Sequence, residues 1–406
     1  MAPRIPDLVL EGIEVPRTEM NRSLIQEFFE GKNILITGGT GFFGNVLIEK
    51  LLRSCSGIKK IYITARPRKG KTTTERIKEM FSGPVSSLFL NEPNFAKKVA
   101  FVSADMDLEE CGLSPEDQAM LKREIDVVFH AAATVRFDAE LSTAINTNVR
   151  ATRDLVNLAR GMHNLKAFVF VSTIFSNCNN EAIPEKFCVP RIAGNIAIAL
   201  NENVESDVIN NMAPSLLDGW PNTYVFSKCL AEDVIKNLGK DMPMAVVRPS
   251  IVTSTAKEPI RGWINNLYGP TGVTAGAMKG ILRTFPGDGE CPAELVPVDY
   301  VINSIIALHL MFDMKIHFFR FVRISQKINK FSNHLSFFGT KNWKFEDNNV
   351  GDLWDRLTEM DKDIFYFNIE DLYWPEYFHY YVLGVREFLL QEGLETVPEA
   401  RRKMYR

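Results

Sequence analysis

Short runs of apolar residues alternate along the chain with longer stretches in which apolar residues recur every three or four positions. The short runs predict six strands, one beginning at Asn33 and the others over 60–65, 99–104, 126–131, 167–172 and 244–248. The longer stretches predict helices over 23–29, 45–53, 74–81, 141–160 and 223–238. Because strands and helices alternate, we predict an α/β fold with a doubly wound parallel sheet.

The pattern changes after about residue 313. Residues 314–345 mix basic and aromatic side chains, and residues 350–390 predict two or three helices with many aromatic residues. We therefore predict an N-terminal arm with a short helix (1–30), a sheet domain (31–313) and a helical C-terminal domain with an aromatic core (314–406). A second interpretation makes 314–331 a basic amphipathic helix that lies on a membrane surface.

The composition is that of an ordinary globular protein. Of the 406 residues, 46% are hydrophobic and 24% charged, and the net charge of −3 gives no reason to expect a nucleic acid partner. The six cysteines are scattered without metal-ligand spacing, which argues against a zinc site and fits a reducing compartment. No signal peptide is expected, and no run reaches the ~18 apolar residues of a membrane-spanning helix.

Three glycines mark the turn after the first strand: Gly38, Gly41 and Gly44 in the segment T-G-G-T-G-F-F-G. A first glycine allows a tight turn, a second lets the backbone approach a pyrophosphate, and a third lets the following helix pack on the sheet. Because a strand precedes the turn and a helix follows it, the pattern indicates a dinucleotide site.

The second and third strands end in residues that suggest adenosine contacts. Arg66 stands where NAD-binding folds often carry an acid, and a guanidinium pairs well with a 2′-phosphate, so NADP(H) is favoured over NAD(H). The nearby Arg68, Lys69 and Lys71 fit a solvated basic loop equally well. Asp105 follows the third strand, where it could reach the adenine amino group or cap a turn.

The fourth strand ends in His130 followed by three alanines, and small residues there let a cofactor lie against the chain. We interpret His130 as a core histidine with satisfied hydrogen bonds rather than as a catalytic group.

Tyr224 and Lys228 are the strongest chemical signal. On a helix, positions i and i+4 share one face, so the ammonium could lower the pKa of the phenol and make it a usable acid or base. With ten tyrosines in the chain, this spacing can arise by chance, and the context decides. Ser172 and Thr173 end the strand before this helix and could bond a substrate oxygen, although turn chemistry could also explain them. The strand after the helix ends at Arg248, Pro249 and Ser250.

Taken together, these motifs resemble the extended short-chain dehydrogenase/reductases, which have Rossmann-type sheets, and more closely the alcohol-forming fatty acyl-CoA reductases. The first part of the resemblance covers about 22–312 and rests on segments 31–32, 37–44, 66–67, 130–133, 148–152, 171–173, 224–228 and 248–250. The second covers about 318–403 and rests on segments 337–338, 343–345, 374, 377, 384–386 and 400–402.

The resemblance implies that NADPH reduces a long-chain acyl-CoA through a hemithioacetal to the aldehyde, and then to the primary alcohol. Tyr224 would supply the proton, Lys228 would lower its pKa and hold the ribose, and Thr173 (or Ser172) would steady the oxyanion. Implied cofactor contacts are Thr37, Gly38, Thr40, Gly41, Phe42, Gly44, Arg66, Asp105, Ala131, Lys228 and Pro249. The family also implies attachment to a peroxisomal or endoplasmic reticulum membrane, facing the cytosol.

The chain departs from the family in two places. Between Asp313 and Phe318 the family usually carries a much longer stretch, and the apolar tail that often follows the segment 400–402 is absent. Two other functions therefore stay open. The chain could be a shortened form that binds NADPH without turnover, or an extended short-chain epimerase or dehydratase acting on a nucleotide sugar.

Overall fold

The computed structural model describes residues 22–66, 75, 95–284, 293–311, 317–321, 337–338 and 343–404. The basic residues Arg68, Lys69 and Lys71, the stretch 313–316 and, apart from residue 75, the helix predicted over 74–81 lie outside these ranges.

A parallel sheet organises the fold. Its strands are β1 (Asn33–Thr37), β2 (Lys60–Ala65), β3 (Val99–Ser103), β4 (Val127–His130), β5 (Ala167–Val171), β7 (Met244–Pro249) and β10 (His317–Phe321), in the spatial order β10-β7-β5-β4-β1-β2-β3. The short strands β6 (Ala182–Ile183) and β11 (Lys344–Phe345) pair with each other, as do β8 (Ile251–Thr253) and β9 (Leu295–Pro297). The order reverses between β1 and β4, which is where a doubly wound sheet opens a crevice at its carboxyl ends.

Helices cover both faces of this sheet. The described helices of the N-terminal and central part are α1 (Leu24–Phe29), α2 (Phe42–Ser54), α3 (Phe95–Lys98), α4 (Pro115–Glu124), α5 (Leu141–Ala144), α6 (Ala151–Arg160), α7 (Gly194–Asn203), α8 (Ser206–Leu216) and α9 (Thr223–Leu238). They continue with α10 (Pro270–Met278), α11 (Val298–Ala307), α12 (Asn348–Asp355), α13 (Glu359–Ile364), α14 (Trp374–Gly384) and α15 (Val397–Met404). A π-helical segment, Ile145–Arg150, joins α5 to α6, so the helix predicted over 141–160 is continuous.

The core has one layer on each side of the sheet, because successive side chains of a strand point to opposite faces. On β1, Ile34 and Ile36 join the layer that contains α2 and α11, whereas Leu35 joins the layer that contains α4 and α6. Both layers consist of buried aliphatic and aromatic residues.

The C-terminal helices share the first of these layers. Phe365, Phe367 and Trp374 are buried in the same cluster as α2. Lys50 of α2 donates to the Ile364 carbonyl over 2.5 Å, and Asp361 accepts from the Ser23 hydroxyl over 2.5 Å. The helical prediction for residues 350–390 is confirmed.

The amphipathic helix considered for 314–331 is wrong over His317–Phe321, which form the edge strand β10 beside β7. This five-residue run is rich in phenylalanine, a residue that favours strands, and its backbone pairs in register with Ala245 to Pro249. The remaining residues of 314–331 lie outside the described ranges. Within the described ranges, none of the helices combines the length and apolar character that crossing a bilayer requires.

Candidate active site

The glycine turn between β1 and α2 has little room for side chains. Gly38 has φ +74°, and a Cβ there would lie 2.7 Å from the Ala132 nitrogen, so only glycine fits. Gly41 is the N-cap of α2 and supplies no side-chain hydrogen bond to the helix. The N–H groups of the first turn are therefore available to a bound anion, and Gly38, Thr40, Gly41 and Phe42 line the cavity in front of them.

Two predicted cofactor residues lie behind the cavity wall. A Cβ on Gly44 would overlap the Gly38 carbonyl oxygen and the Gly39 backbone, so this glycine lets α2 pack against the turn. Thr37 is fully buried, and its hydroxyl bonds His130 Nδ1 over 2.7 Å and the Ala132 N–H over 3.1 Å. Neither Thr37 nor Gly44 lines the cavity, and both support the turn from behind it.

His130 is a buried core histidine, as we interpreted it from the sequence. Its Nδ1 bonds Thr37 and its Nε2 bonds the Thr152 hydroxyl over 3.0 Å. Burial, together with the charge of the nearby Lys228, lowers the pKa of His130 to about 3. The ring is therefore neutral at physiological pH, and Ala131, next in the chain, lines the cavity.

Arg66 and Asp105 lie at the end of the cavity formed by β2 and β3. Arg66 is exposed, and its Nη1 contacts Asp107 Oδ2 at 3.2 Å. Asp105 caps its own turn, because its Oδ1 accepts from the Asp107 N–H over 3.1 Å, and it also lines the cavity. Asp107 was not predicted from the sequence: it is 41 residues from Arg66, and only the pairing of β2 with β3 brings the two together.

Tyr224 and Lys228 lie on the face of α9 that lines the cavity. Asn222 begins this helix by accepting from the Val225 N–H, which places Tyr224 in its first turn. Lys228 is buried, donates to the Val171 carbonyl over 2.7 Å and lies over the Phe170 ring at 4.7 Å. The phenol and the amine thus converge on the carboxyl end of β5.

The predicted effect of Lys228 on the tyrosine is wrong for the protein alone. Burial raises the pKa of Tyr224 to about 12, and a hydrogen bond with Thr173 partly opposes this rise. Burial also lowers the pKa of Lys228 to about 7, although the negative charge of Glu232 acts to raise it. The physical reason is that desolvation disfavours the charged form of each of these buried groups.

Ser172 and Thr173 have different surroundings, although the sequence left both as candidates. The Ser172 hydroxyl donates to Glu232 Oε1 over 2.5 Å in the buried interior. Thr173 hydrogen-bonds Tyr224, and its hydroxyl also accepts from the Phe175 N–H over 3.3 Å. Thr173 is therefore the hydroxyl beside the tyrosine.

Glu232 and Arg248 form a buried ion pair that was not predicted from the sequence. Arg248 donates from Nε and Nη2 to the two carboxylate oxygens, over 2.9 and 2.6 Å. Burial alone would raise the pKa of Glu232, but the Arg248 charge and the hydrogen bonds keep it below its ordinary value. Tyr224, Lys228 and Glu232 are four residues apart and therefore lie on one face of α9. This spacing is the sequence feature from which Glu232 could have been predicted to lie near the site.

The cavity between the glycine turn and α9 measures about 1410 Å³. Pro249 lines it, and so do aromatic residues that the site prediction did not contain: Phe137, Phe175, Tyr268 and Phe338. Phe137 stacks on Tyr224 with ring centroids 5.9 Å apart. An apolar wall next to the phenol suits a hydrophobic substrate.

The residues fit a nicotinamide dinucleotide. The glycine turn and the uncapped start of α2 suit the pyrophosphate. Ser250 lines the far part of the cavity, and its buried hydroxyl has no hydrogen-bond partner among the described residues, which suits a carboxamide. The described ranges contain no group of three or more His, Cys, Asp or Glu that could hold a metal ion.

Two family models match the chain, both described as "Male sterility protein": one, an NAD-binding model, over residues 36–305 and the other over 301–392. Similar proteins include "Fatty acyl-CoA reductase wat" of Drosophila melanogaster, 31% identical over 95% of this chain and 89% of that protein. "Fatty acyl-CoA reductase 1" of Xenopus laevis is 33% identical and that of Homo sapiens 32%, each over 94% of this chain and 89% of that protein.

Solved structures share the fold. The terminal R domain of the myxalamid PKS-NRPS pathway has a TM-score of 0.60 at 20% identity, covering 89% of this chain and 92% of that one. The reductase domain of a non-ribosomal peptide synthetase from Mycobacterium tuberculosis has a TM-score of 0.54 at 18% identity, covering 83% and 79%. UDP-glucuronic acid 4-epimerase from Bacillus cereus, in complex with NAD, has a TM-score of 0.54 at 14% identity, covering 89% and 99%.

Proposed function

This chain belongs to the fatty acyl-CoA reductases, and on that premise we propose that it reduces long-chain fatty acyl-CoA to the primary alcohol and CoA with NADPH. The observation that carries the proposal is the meeting of Tyr224, Lys228 and Thr173 at one end of a cavity that begins at the glycine turn. An epimerase is disfavoured, because the full-length relatives are reductases and the second family model covers the C-terminal helices.

NADPH, when bound, supplies the hydride for each of the two reductions. The glycine turn and the start of α2 would hold its pyrophosphate, Arg66 its 2′-phosphate, and Lys228 the nicotinamide ribose. Asp105 would face the adenine, while Thr40, Phe42, Ala131 and Pro249 would line the path between them.

Tyr224 acts as the proton donor in this proposal. Reduction of a carbonyl leaves negative charge on its oxygen, and an acid that is protonated at neutral pH must neutralise that charge. With a pKa of about 12, Tyr224 is in the protonated form. Thr173, which hydrogen-bonds the phenol, can donate to the same oxygen and stabilise the developing charge.

Lys228 positions the cofactor and stabilises charge near the phenol. Its amine is fixed by the Val171 carbonyl, one helical turn from Tyr224. Phe137 and Phe175 line the cavity beside the phenol, and a substrate bound against them would displace water and strengthen the electrostatic interactions there.

We also propose that the protein works at the cytosolic face of a peroxisomal or endoplasmic reticulum membrane. The family resemblance and the apolar substrate support this proposal, because long acyl chains partition into bilayers. Flotation of the purified protein with phospholipid vesicles checks it: co-migration supports attachment, and recovery of all protein in the lipid-free fraction contradicts it.

A second candidate is a form that binds NADPH without turnover. The alignment with the Drosophila protein spans 463 positions, more than the 406 residues of this chain, so the relative has residues at positions where this chain has none. The two family models also overlap at residues 301–305, close to the expected missing stretch.

Product analysis by mass spectrometry decides between the two candidates. Purified protein is incubated with NADPH and acyl-CoAs of increasing chain length, with Tyr224→Phe as the inactive control. Primary alcohol that depends on NADPH and on Tyr224 supports the reductase. Retained NADPH binding with neither aldehyde nor alcohol supports the second candidate.

A further inference from the structure

A carboxylate and a guanidinium share the adenosine end of the cavity. Arg66 follows β2 and Asp107 follows β3, and the two strands are neighbours in the sheet. Arg66 Nη1 lies 3.2 Å from Asp107 Oδ2, and both residues line the cavity. Arg66, which the sequence predicts to pair with a 2′-phosphate, is therefore already paired with an acid.

Asp107 is the fixed partner of the pair. Its second carboxylate oxygen, Oδ1, accepts from the Thr147 hydroxyl, and its N–H donates to Asp105. Its carbonyl accepts from Arg150 Nη2 over 2.5 Å, and the Arg150 side chain is buried. Arg66 is the more exposed partner, because 67% of its side chain is exposed and 41% of that of Asp107.

The position of this carboxylate has opposite consequences for the two nicotinamide dinucleotides. A carboxylate accepts hydrogen bonds from a ribose 2′-hydroxyl, as the Asp or Glu of many NAD sites does. The same carboxylate repels a 2′-phosphate and competes with it for the guanidinium. Binding of NADPH therefore requires Arg66 to leave Asp107 or to bridge two anions.

We propose that Asp107 is the residue that sets cofactor discrimination in this protein, by holding Arg66 and by accepting from a 2′-hydroxyl, so that NADH is bound alongside NADPH. The inference rests on the proposed function, since it assigns the adenosine end of the same cofactor site. Thr147 and Arg150 are positioning residues for Asp107, because Thr147 donates to its carboxylate and Arg150 donates to its backbone carbonyl.

The test is the ratio of dissociation constants for NADPH and NADH, measured by quenching of tryptophan fluorescence without any acyl substrate. Asp107→Asn keeps the size of the side chain and removes the charge. This substitution is expected to change the ratio of dissociation constants about five-fold in favour of NADPH. The size of the effect is that of losing one exposed ion pair with Arg66 and the repulsion between the carboxylate and the 2′-phosphate. Glu109→Gln is the matched control, because Glu109 is exposed, lies two residues away and is not part of the cavity wall.

The outcomes separate this proposal from the function it rests on. A preference that moves toward NADPH in Asp107→Asn, but not in Glu109→Gln, supports it. An unchanged preference, or one equal to that of Glu109→Gln, overturns the role of Asp107 while leaving the reductase intact. Absence of binding of both dinucleotides to the unmodified protein overturns the proposed function and this proposal with it. Thermal melting of each variant verifies that it is folded.

Discussion

Arg248 Nη2 and Glu232 Oε2 lie 2.6 Å apart, and neither side chain is more than 3% exposed. The pair joins α9, which carries Tyr224, to β7, and Ser172 at the end of β5 donates to the same carboxylate. Arg248 also donates to the Pro184 and Lys186 carbonyls. This ion pair therefore fixes the relative positions of the elements that carry Tyr224 and Thr173.

Glu232→Gln should destabilise the fold strongly, because it leaves the buried Arg248 guanidinium without its counter-charge. We expect the free energy of unfolding to fall by about 3 kcal/mol in urea titrations. Asp218→Asn is the control, because Asp218 forms an exposed ion pair with Arg191. This substitution should change the free energy of unfolding little. Equal effects of the two substitutions would contradict a structural role for the buried pair.

Thr173→Val and Ser172→Ala should separate catalysis from stability. Loss of the Thr173 hydroxyl should lower kcat about 100-fold with unchanged NADPH affinity, because it removes a donor beside the phenol. Loss of the Ser172 hydroxyl should cost about 1 kcal/mol of stability by leaving a Glu232 oxygen with fewer donors. Steady-state kinetics and urea unfolding measure the two effects, and a larger kcat loss in Ser172→Ala would reverse the assignment.

Cofactor affinity should weaken as the pH rises through the pKa of Lys228, about 7 in the protein alone. Binding that uses the ammonium takes up a proton, so affinity is highest below this pKa and falls above it. NADH is the better ligand for this titration, because it lacks a titrating 2′-phosphate. His130, with a pKa of about 3, does not change charge in this range.

The matched variant for this pH titration is Lys228→Met, which fills similar space without a charge. Its NADH affinity should be weaker and nearly independent of pH between about 6 and about 8.5. A pH dependence that persists in Lys228→Met would assign the titration to another group.

Two glycines of the turn should respond differently to alanine. A Cβ at Gly41 meets only the Gly38 oxygen, at 3.3 Å, so Gly41→Ala should fold and bind NADPH about ten-fold more weakly by crowding the pyrophosphate. A Cβ at Gly44 overlaps backbone, so Gly44→Ala should lose about 2 kcal/mol of stability. Binding titrations and thermal melts distinguish them, and equal stability loss in both would contradict the different roles.

Local sequence signals predicted the elements that carry the site. The helix over 223–238 has the observed bounds, because Asn222 caps its start and Gly239 follows its end. The core position of His130 also followed from its place at the end of a buried strand. These signals suffice because they depend on neighbours in the chain.

Other features depend on residues that only the fold brings together. The Arg66–Asp107 pair requires the β2–β3 pairing, and the choice of Thr173 over Ser172 required knowing where Glu232 lies. The pKa of Tyr224 was predicted with the wrong sign of shift, because spacing along a helix does not reveal the burial that raises this pKa. The edge strand β10 was missed because its basic and aromatic residues also fit an amphipathic helix.

Tyr224→Phe tests the central claim most directly, since it removes one hydroxyl and keeps the ring that stacks on Phe137. The measurement is NADPH oxidation with a long-chain acyl-CoA, alongside the NADPH dissociation constant. We predict a loss of turnover of about 1000-fold or more with the dissociation constant changed less than about two-fold. Turnover equal to that of the unmodified protein would contradict the assignment of Tyr224 as the proton donor.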